Sequence, residues 1–344
     1  LKYRQSNLYA MNQIQFWYNK ALANISAIQH FGPLFHKMAV IWEICFHMDV
    51  RTIRIIKASS LDRDGLLTGR IRELEAAGFK VIFEDLAPNR DWTWTAGSVG
   101  ARSAALNQAF LEEESDAVMW ARGGYGASDL LDLVPWDQVA KAKIKPIIGF
   151  SDVCAVQSAL YAITGRQSVH APMPATTTWK KSGDSDVNEL FTLLRGQKGS
   201  GSLTATPVGA STAKAEGFLF GGCLSVLTSL IGTRYLPKTL AGHILYFEDI
   251  GENPGRIIRM LNQWQQAGLF KGVKGLLLGA FTDLGGDLPD SAPVLLNEVF
   301  ERYKLPTFAS NDFGHIAPNL PIVLGSQGII RNGKLTWTTG SLVT

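Results

Sequence analysis

Cysteine is scarce in this chain. Cys45, Cys154 and Cys223 are the only three among 344 residues, and no two are closely spaced. That excludes a disulfide framework and a cysteine-based zinc site, and it fits a soluble protein of a reducing compartment, the cytoplasm. Long apolar runs are missing too. No stretch reaches the ~18–20 apolar residues of a membrane helix; the nearest, Met38–Met48, is short and has Glu43 at its centre. Most of the chain also lacks any excess of charge. Lys2, Arg4, Lys20 and Lys37 against Glu43 in residues 1–47 account for the whole net charge of +3. A nucleic-acid binder concentrates basic residues in its folded body, so neither nucleic acid nor a membrane is an expected partner. The HExxH, Gly-x-Gly-x-x-Gly and P-loop patterns are absent, so no cofactor is expected and little supports a metal ion.

What is present is apolar surface. Hydrophobic residues make up 46% and charged residues 18%, with a mean hydropathy of +0.05, which excludes disorder as the main state. The length favours two domains over one or three. Residues 1–47 differ in style from the rest, being rich in aromatic and amide side chains and nearly free of acids. They match neither a secretory signal nor an Arg-rich transit peptide, and are expected to be an extension, with ordered chain starting near Met48.

From Met48 onward strands and helices alternate. Val50–Ile56, Phe79–Phe83, Ala117–Ala121 and Pro146–Phe150 read as strands, and Leu66–Ala77, Ser98–Glu113 and Val153–Ile163 as helices, with another starting near Ser128. This rhythm predicts an α/β fold with a parallel sheet over residues 48–170. Thr, Gly, Ser and Lys break the rhythm over 171–208, a linker. In the second domain, 209–344, strands are expected at Ala215–Phe220, Ile244–Phe247, Gly275–Leu278 and Val323–Leu324. Leu224–Ile231 and Ile257–Ala267 read as helices, and Gly328–Ser341 as a hairpin across Asn332-Gly333.

Four segments could carry chemistry. Ser151, in Gly149-Phe150-Ser151-Asp152, lies where a buried strand turns into a helix. It is either an exposed nucleophile on a tight elbow or simply the cap of that helix. Arg122-Gly123-Gly124-Tyr125-Gly126 follows another strand, and its glycines either bring amides close to a ligand or pack a tight turn. Glu248, Asp249 and Glu252 follow the strand Ile244–Phe247, where a carboxylate could orient a histidine or cap a turn. Asp312-Phe313-Gly314-His315 falls in a loop between predicted elements. Of six histidines three (His30, His36, His47) lie in the extension, leaving His170, His243 and His315 as candidate bases, each of which could equally be structural. Asp283 and Asp287 read as a polar turn. Ser151, Glu248 and His315 follow the chain order serine, acid, histidine of α/β-type hydrolases, with a cleft between the domains assembling them.

Taken together these segments resemble the LD-carboxypeptidases, serine peptidases of murein recycling whose relatives include a microcin-immunity type. The resemblance runs from about Arg51 to the C-terminal region. It rests on Ala121–Gly126, Gly149–Asp152, Ala215-Glu216-Gly217 leading to Gly221-Gly222, Ser229–Thr233, Glu248–Glu252 with Pro254 and Arg256, and Asp312–His315 before Leu324-Gly325. It implies an N-terminal parallel α/β domain, a C-terminal mainly β domain with helices, and a homodimer. It also implies a triad of Ser151, Glu248 and His315, with the backbone N–H groups of Gly124 and Asp152 as oxyanion donors. The implied reaction is hydrolysis of the L,D-peptide bond that releases terminal D-alanine from a murein tetrapeptide. Two other readings are an immunity-type peptidase cleaving aminoacyl-nucleotides or related acyl-amides, and an inactive peptide binder, against which the intact triad argues. Lys57-Ala58-Ser59-Ser60 replaces the Pro-Ser-Ser turn usual after the first strand, and residues 1–47 have no counterpart.

Overall fold

The computed structural model describes residues 49–62, 64–86, 94–179, 186–209, 214–284 and 291–339. The extension, with Cys45, His30, His36 and His47, and Asp287 all lie outside the described residues. Two sheets carry the architecture. The first has the order β12-β5-β4-β3-β1-β2, built from β1 (Thr52–Ile56), β2 (Lys80–Phe83), β3 (Ala117–Trp120), β4 (Ile147–Gly149), β5 (Ser168–His170) and β12 (Ile322–Leu324). Its strands pair in parallel except β12, which runs antiparallel to β5. Helices α1 (Leu67–Ala76), α2 (Val99–Leu111), α3 (Trp136–Val139) and α4 (Cys154–Thr164) connect these strands, with a 3-10 turn at Ser128–Leu133. Two central parallel strands, Ala117–Trp120 and Ile147–Gly149, read as unbroken apolar runs because both their faces are covered, and they are buried throughout. Ser98 caps α2 by accepting a hydrogen bond from the Ala101 amide at 3.2 Å.

The segment expected to be a linker, 171–208, carries helix α5 (Asp186–Leu194) and strands β6 (Ser200–Thr204) and β7 (Thr206–Pro207). Val187, Leu190, Phe191 and Leu194 of α5 are buried in the core. The second sheet has the order β6-β14-β13-β8-β9-β10-β11-β7. It comprises β8 (Ala215–Cys223), β9 (His243–Ile250), β10 (Gly275–Thr282), β11 (Thr307–Gly314), β13 (Gln327–Arg331) and β14 (Lys334–Thr338) besides β6 and β7. Its four central strands, β8 to β11, are parallel, and helices α6 (Leu224–Ser229), α7 (Pro254–Gln266) and α8 (Ser291–Tyr303) connect them. Antiparallel pairs form its flanks, including the β13–β14 hairpin, whose turn residues Asn332 and Gly333 both have positive φ.

Val323–Leu324, expected as a strand of the second half, instead edges the first sheet, pairing with Val169 and Ser168. The two sheets share a core. Val153, Cys154, Ala155 and Ala159 of the α4 region pack in one cluster with Phe220, Cys223, Leu224 and Leu227. Gly222 makes this approach possible, since a Cβ there would lie 2.3 Å from the Cys154 sulfur. The Cys223 amide donates to that sulfur at 3.3 Å.

Candidate active site

The helix following β4 begins at an unusual residue. Ser151 has φ of +63°, a left-handed conformation that a side chain tolerates only at a cost of ~1–3 kcal/mol. Its hydroxyl caps neither the 3-10 turn Ser151–Val153 nor α4, whose caps are Phe150 and Val153 without side-chain hydrogen bonds. The strained turn directs Oγ to His315 instead, 3.0 Å from Nε2. On the other side of the imidazole, Nδ1 lies 2.7 Å from Oε2 of Glu248, whose side chain is fully buried. The Phe150 ring packs on the imidazole with centroids 4.9 Å apart, which limits its rotation.

Two strands deliver the histidine and the acid. Glu248 lies within β9, which runs through to Ile250 rather than ending at Phe247. His315 directly follows β11, a strand where the sequence suggested a loop. β11 pairs with β10 through Ala309↔Leu278 and then Gly314↔Ala280, so extra residues bulge out between. Such bulges re-aim a strand end. Asp312 anchors this one, accepting from the Thr204 amide at 2.6 Å, and the Gly314 amide donates to Asn319 Oδ1 at 3.1 Å. Gly314 has φ of +120° and its Cα passes so close to Glu248 that a Cβ would sit 3.1 Å from that of the acid. Glycine there is what lets His315 reach the carboxylate.

Charge is tuned at the same place. Burial disfavours the His315 imidazolium, but the Glu248 carboxylate beside it, with Asp249 and Asp283 farther off, raises its pKa above the ordinary 6.5. The neighbouring acids are engaged elsewhere. Asp249 accepts from the Ser225 amide at 2.7 Å and the Ile250 amide at 2.9 Å, so it fastens the start of α6 to β9. Glu252 pairs with Arg256 one turn along α7. The other candidate bases stand apart. His170 is fully buried among Phe150, Tyr246 and Phe313, and burial pulls its pKa down to about 4. His243 shares a 2.8 Å hydrogen bond with the Tyr161 hydroxyl.

The glycine-rich loop closes over the serine. A Cβ on Gly123 would lie 3.1 Å from Ser151 Oγ and 3.4 Å from the Asp152 nitrogen. Gly124, with φ of +107°, rests on Ser60, and among the described residues no acceptor binds its amide. The Asp152 carboxylate turns away from the serine to accept from the Ala127 amide at 2.9 Å, and burial pushes its pKa up to about 6. Ser60 accepts from the Tyr125 amide at 3.1 Å and donates its own amide to the Gly123 carbonyl at 3.2 Å. Ser59-Ser60 thus supports the loop, a role that only the oddity of the Lys57–Ser60 turn hinted at. Among the described residues no three His, Cys, Asp or Glu side chains gather closely enough to hold a metal ion. Nor does any described helix have the length and apolarity to cross a membrane.

Comparison with known proteins gives a consistent picture. Residues 53–171 match the LD-carboxypeptidase N-terminal domain and residues 216–330 the LD-carboxypeptidase C-terminal domain. The chain is 28% identical over 302 residues to the murein tetrapeptide carboxypeptidase of Pseudomonas aeruginosa, covering 84% of this chain and 96% of that one. The crystal structure of muramoyltetrapeptide carboxypeptidase from Oxalobacter formigenes superposes with a TM-score of 0.73 at 26% identity, over 85% of this chain and all of that chain. The microcin C7 self-immunity protein of Escherichia coli is 26% identical over 282 residues, 73% of this chain and 81% of that one. A structure of that immunity protein with glutamyl sulfamoyl guanosine shares the fold, with a TM-score of 0.74 at 22% identity over 83% of this chain and 95% of that one.

Proposed function

The chain belongs to the LD-carboxypeptidase family, and from that premise we propose that it is a serine carboxypeptidase releasing terminal D-alanine from murein tetrapeptides. The observation that carries the reading is the hydrogen-bonded line from Ser151 through His315 to Glu248, at 3.0 and 2.7 Å. In this reading Ser151 Oγ attacks the scissile carbonyl while its proton passes to His315 Nε2. Glu248 holds the Nδ1–H tautomer and stabilises the imidazolium. The oxyanion takes hydrogen bonds from the Gly124 and Asp152 amides, each worth about 2.7–4 kcal/mol in such sites. As the C–N bond breaks, His315 protonates the departing D-alanine amine. Water, deprotonated by the same histidine, then cleaves the acyl-serine ester and frees the enzyme.

Substrate choice divides this reading from its neighbour, a peptidase of aminoacyl-nucleotides. The greater coverage of the murein enzyme by sequence supports the first. Incubation with a murein tetrapeptide and with an aminoacyl sulfamoyl adenylate, side by side, tests it. D-Alanine release is expected from the first, with the second cleaved at least tenfold more slowly. Preference for the adenylate would transfer the activity to the immunity type, and inertness toward both would defeat the peptidase reading. The reading also carries a cytoplasmic homodimer, which sedimentation would check.

A further inference from the structure

Arg102, on the first turn of α2, is 1% exposed and touches none of the reacting groups. Its guanidinium gathers three separate turns. Nε donates to the Gly97 carbonyl at 3.3 Å, and Nη1 donates to the carbonyls of Ala58 at 3.2 Å and Gly126 at 2.6 Å. Nη2 donates to Asp129 at 2.9 Å, which neutralises the buried charge.

Each of these turns connects to the segments that flank the serine. Ala58 leads into Ser59 and Ser60; the Ser59 carbonyl accepts from the Ala96 amide at 2.8 Å, while Ser60 supports Gly123 and Tyr125. Gly126 is followed by Ala127, whose amide is bound by Asp152. The packing leaves no slack. A Cβ on Gly124 would come within 2.2 Å of Ser60 Oγ, and one on Gly126 within 2.5 Å of Arg102 Nη1. The loop that presents the Gly124 amide is therefore held from below by Ser60 and from behind by the guanidinium. A planar fork with five N–H donors can serve three carbonyls and a carboxylate at once, which an ammonium or an apolar chain cannot.

Resting on the serine-peptidase reading above, we propose that Arg102 is a positioning residue for the oxyanion site, fixing the Gly124 amide over Ser151 by tying together the turns at Ala58, Gly97 and Gly126. It acts on the transition state and leaves ground-state binding alone, because the three turns set the position of a donor that matters most when negative charge develops.

The test compares wild type, Arg102→Lys and Arg102→Ala by D-alanine release, by affinity for a peptide aldehyde whose carbonyl carbon replaces the scissile one, and by thermal melting. Arg102→Ala is expected to lower kcat by about 10²-fold, the usual loss for one oxyanion donor. Aldehyde affinity should fall in parallel, since its adduct with Ser151 is tetrahedral, while KM changes by less than about threefold. Guanidinium ion at millimolar concentration should restore part of kcat to Arg102→Ala, and Arg102→Lys should fall between it and wild type. If Arg102→Ala does not fold, Arg102→Lys decides alone, by the same parallel loss of kcat and aldehyde affinity. Wild-type kcat in a folded variant, or a loss that merely tracks the unfolded fraction, would overturn the proposal. A wild-type protein that neither releases D-alanine nor binds the aldehyde would instead overturn the underlying reading.

Discussion

Gly123→Ala should separate catalysis from stability at a single methyl group. The new Cβ would lie 3.0 Å from Ser151 Cβ, 3.1 Å from its Oγ and 3.4 Å from the Asp152 nitrogen. Carbon atoms prefer ~3.5–4.0 Å, so the methyl crowds the serine by about half an ångström. Ser151 has little room to retreat, since its backbone is already left-handed and its hydroxyl is bonded to His315. More important is where the methyl sits. An oxyanion must lie ~2.7–3.1 Å from its donors, in the space between Ser151 and the Asp152 amide that the methyl would enter. Gly123 itself does not have positive φ, so alanine strains no backbone there. The restricted unfolded chain contributes about 0.4–1 kcal/mol of stability, which roughly offsets the crowding. Net stability should therefore stay within about 1 kcal/mol of wild type, while kcat/KM falls by about 10³-fold, equivalent to ~4 kcal/mol in the barrier. Gly124→Ala is the contrast: with φ of +107° and Ser60 Oγ 2.2 Å from the added atom, it should lose about 1–3 kcal/mol of stability as well. D-Alanine release and thermal melting on the same preparations give both numbers. A folded Gly123→Ala protein within tenfold of wild-type activity would refute the placement of the oxyanion.

Because Glu248 raises the His315 pKa above 6.5, the acid limb of kcat/KM should lie above pH 6.5, and Glu248→Gln should move it lower while cutting kcat by about 10³–10⁴-fold. The stability gained from this imidazolium pair is fully present below pH 6.5 and lost as pH rises through the raised value, which melting curves across pH would show in wild type and not in the Gln variant. Asp152 carries the opposite burden: its pKa is pushed up from 3.8 to about 6, so ionising it costs stability as pH rises through that range. Asp152→Asn still accepts from the Ala127 amide and should raise stability at pH 8, by an amount of order 1–3 kcal/mol, as read by denaturant titration. Cys154 and Cys223 are buried, and burial raises both thiol pKa values, so native protein should leave them unalkylated by iodoacetamide until it is unfolded.

Local chemistry explains which parts of this structure are legible in the sequence. Thr52–Ile56 is β-branched at every position but Arg54, Ala117–Trp120 is apolar on both faces, and the Asn332-Gly333 turn needs positive φ twice, so each declares itself within a few residues. β11 does not. Thr307–Gly314 includes Ser310-Asn311-Asp312, turn formers that are held in a strand by the bulge and by the Thr204 amide on Asp312, a partner 108 residues away. Val323–Leu324 has the composition of a strand, yet nothing within it specifies that it will edge the first sheet. At the site, the segments bearing Ser151, Glu248 and His315 stand out by motif, but the choice among three histidines needs the core: His170 and His243 differ from His315 only in what surrounds them. Arg102 gave no signal, being one arginine on a helix whose acceptors, three backbone carbonyls and the Asp129 carboxylate, are scattered from Ala58 to Asp129.

Labelling with a fluorophosphonate tests the central claim most directly, because it requires a serine activated by its own histidine. One adduct per chain, mapped by peptide mass spectrometry to Ser151, should form at the same rate at which D-alanine release is lost, and His315→Ala should not be labelled. Hydrolysis that survives complete labelling of Ser151, or an adduct on a different residue that accounts for the lost activity, would contradict the account.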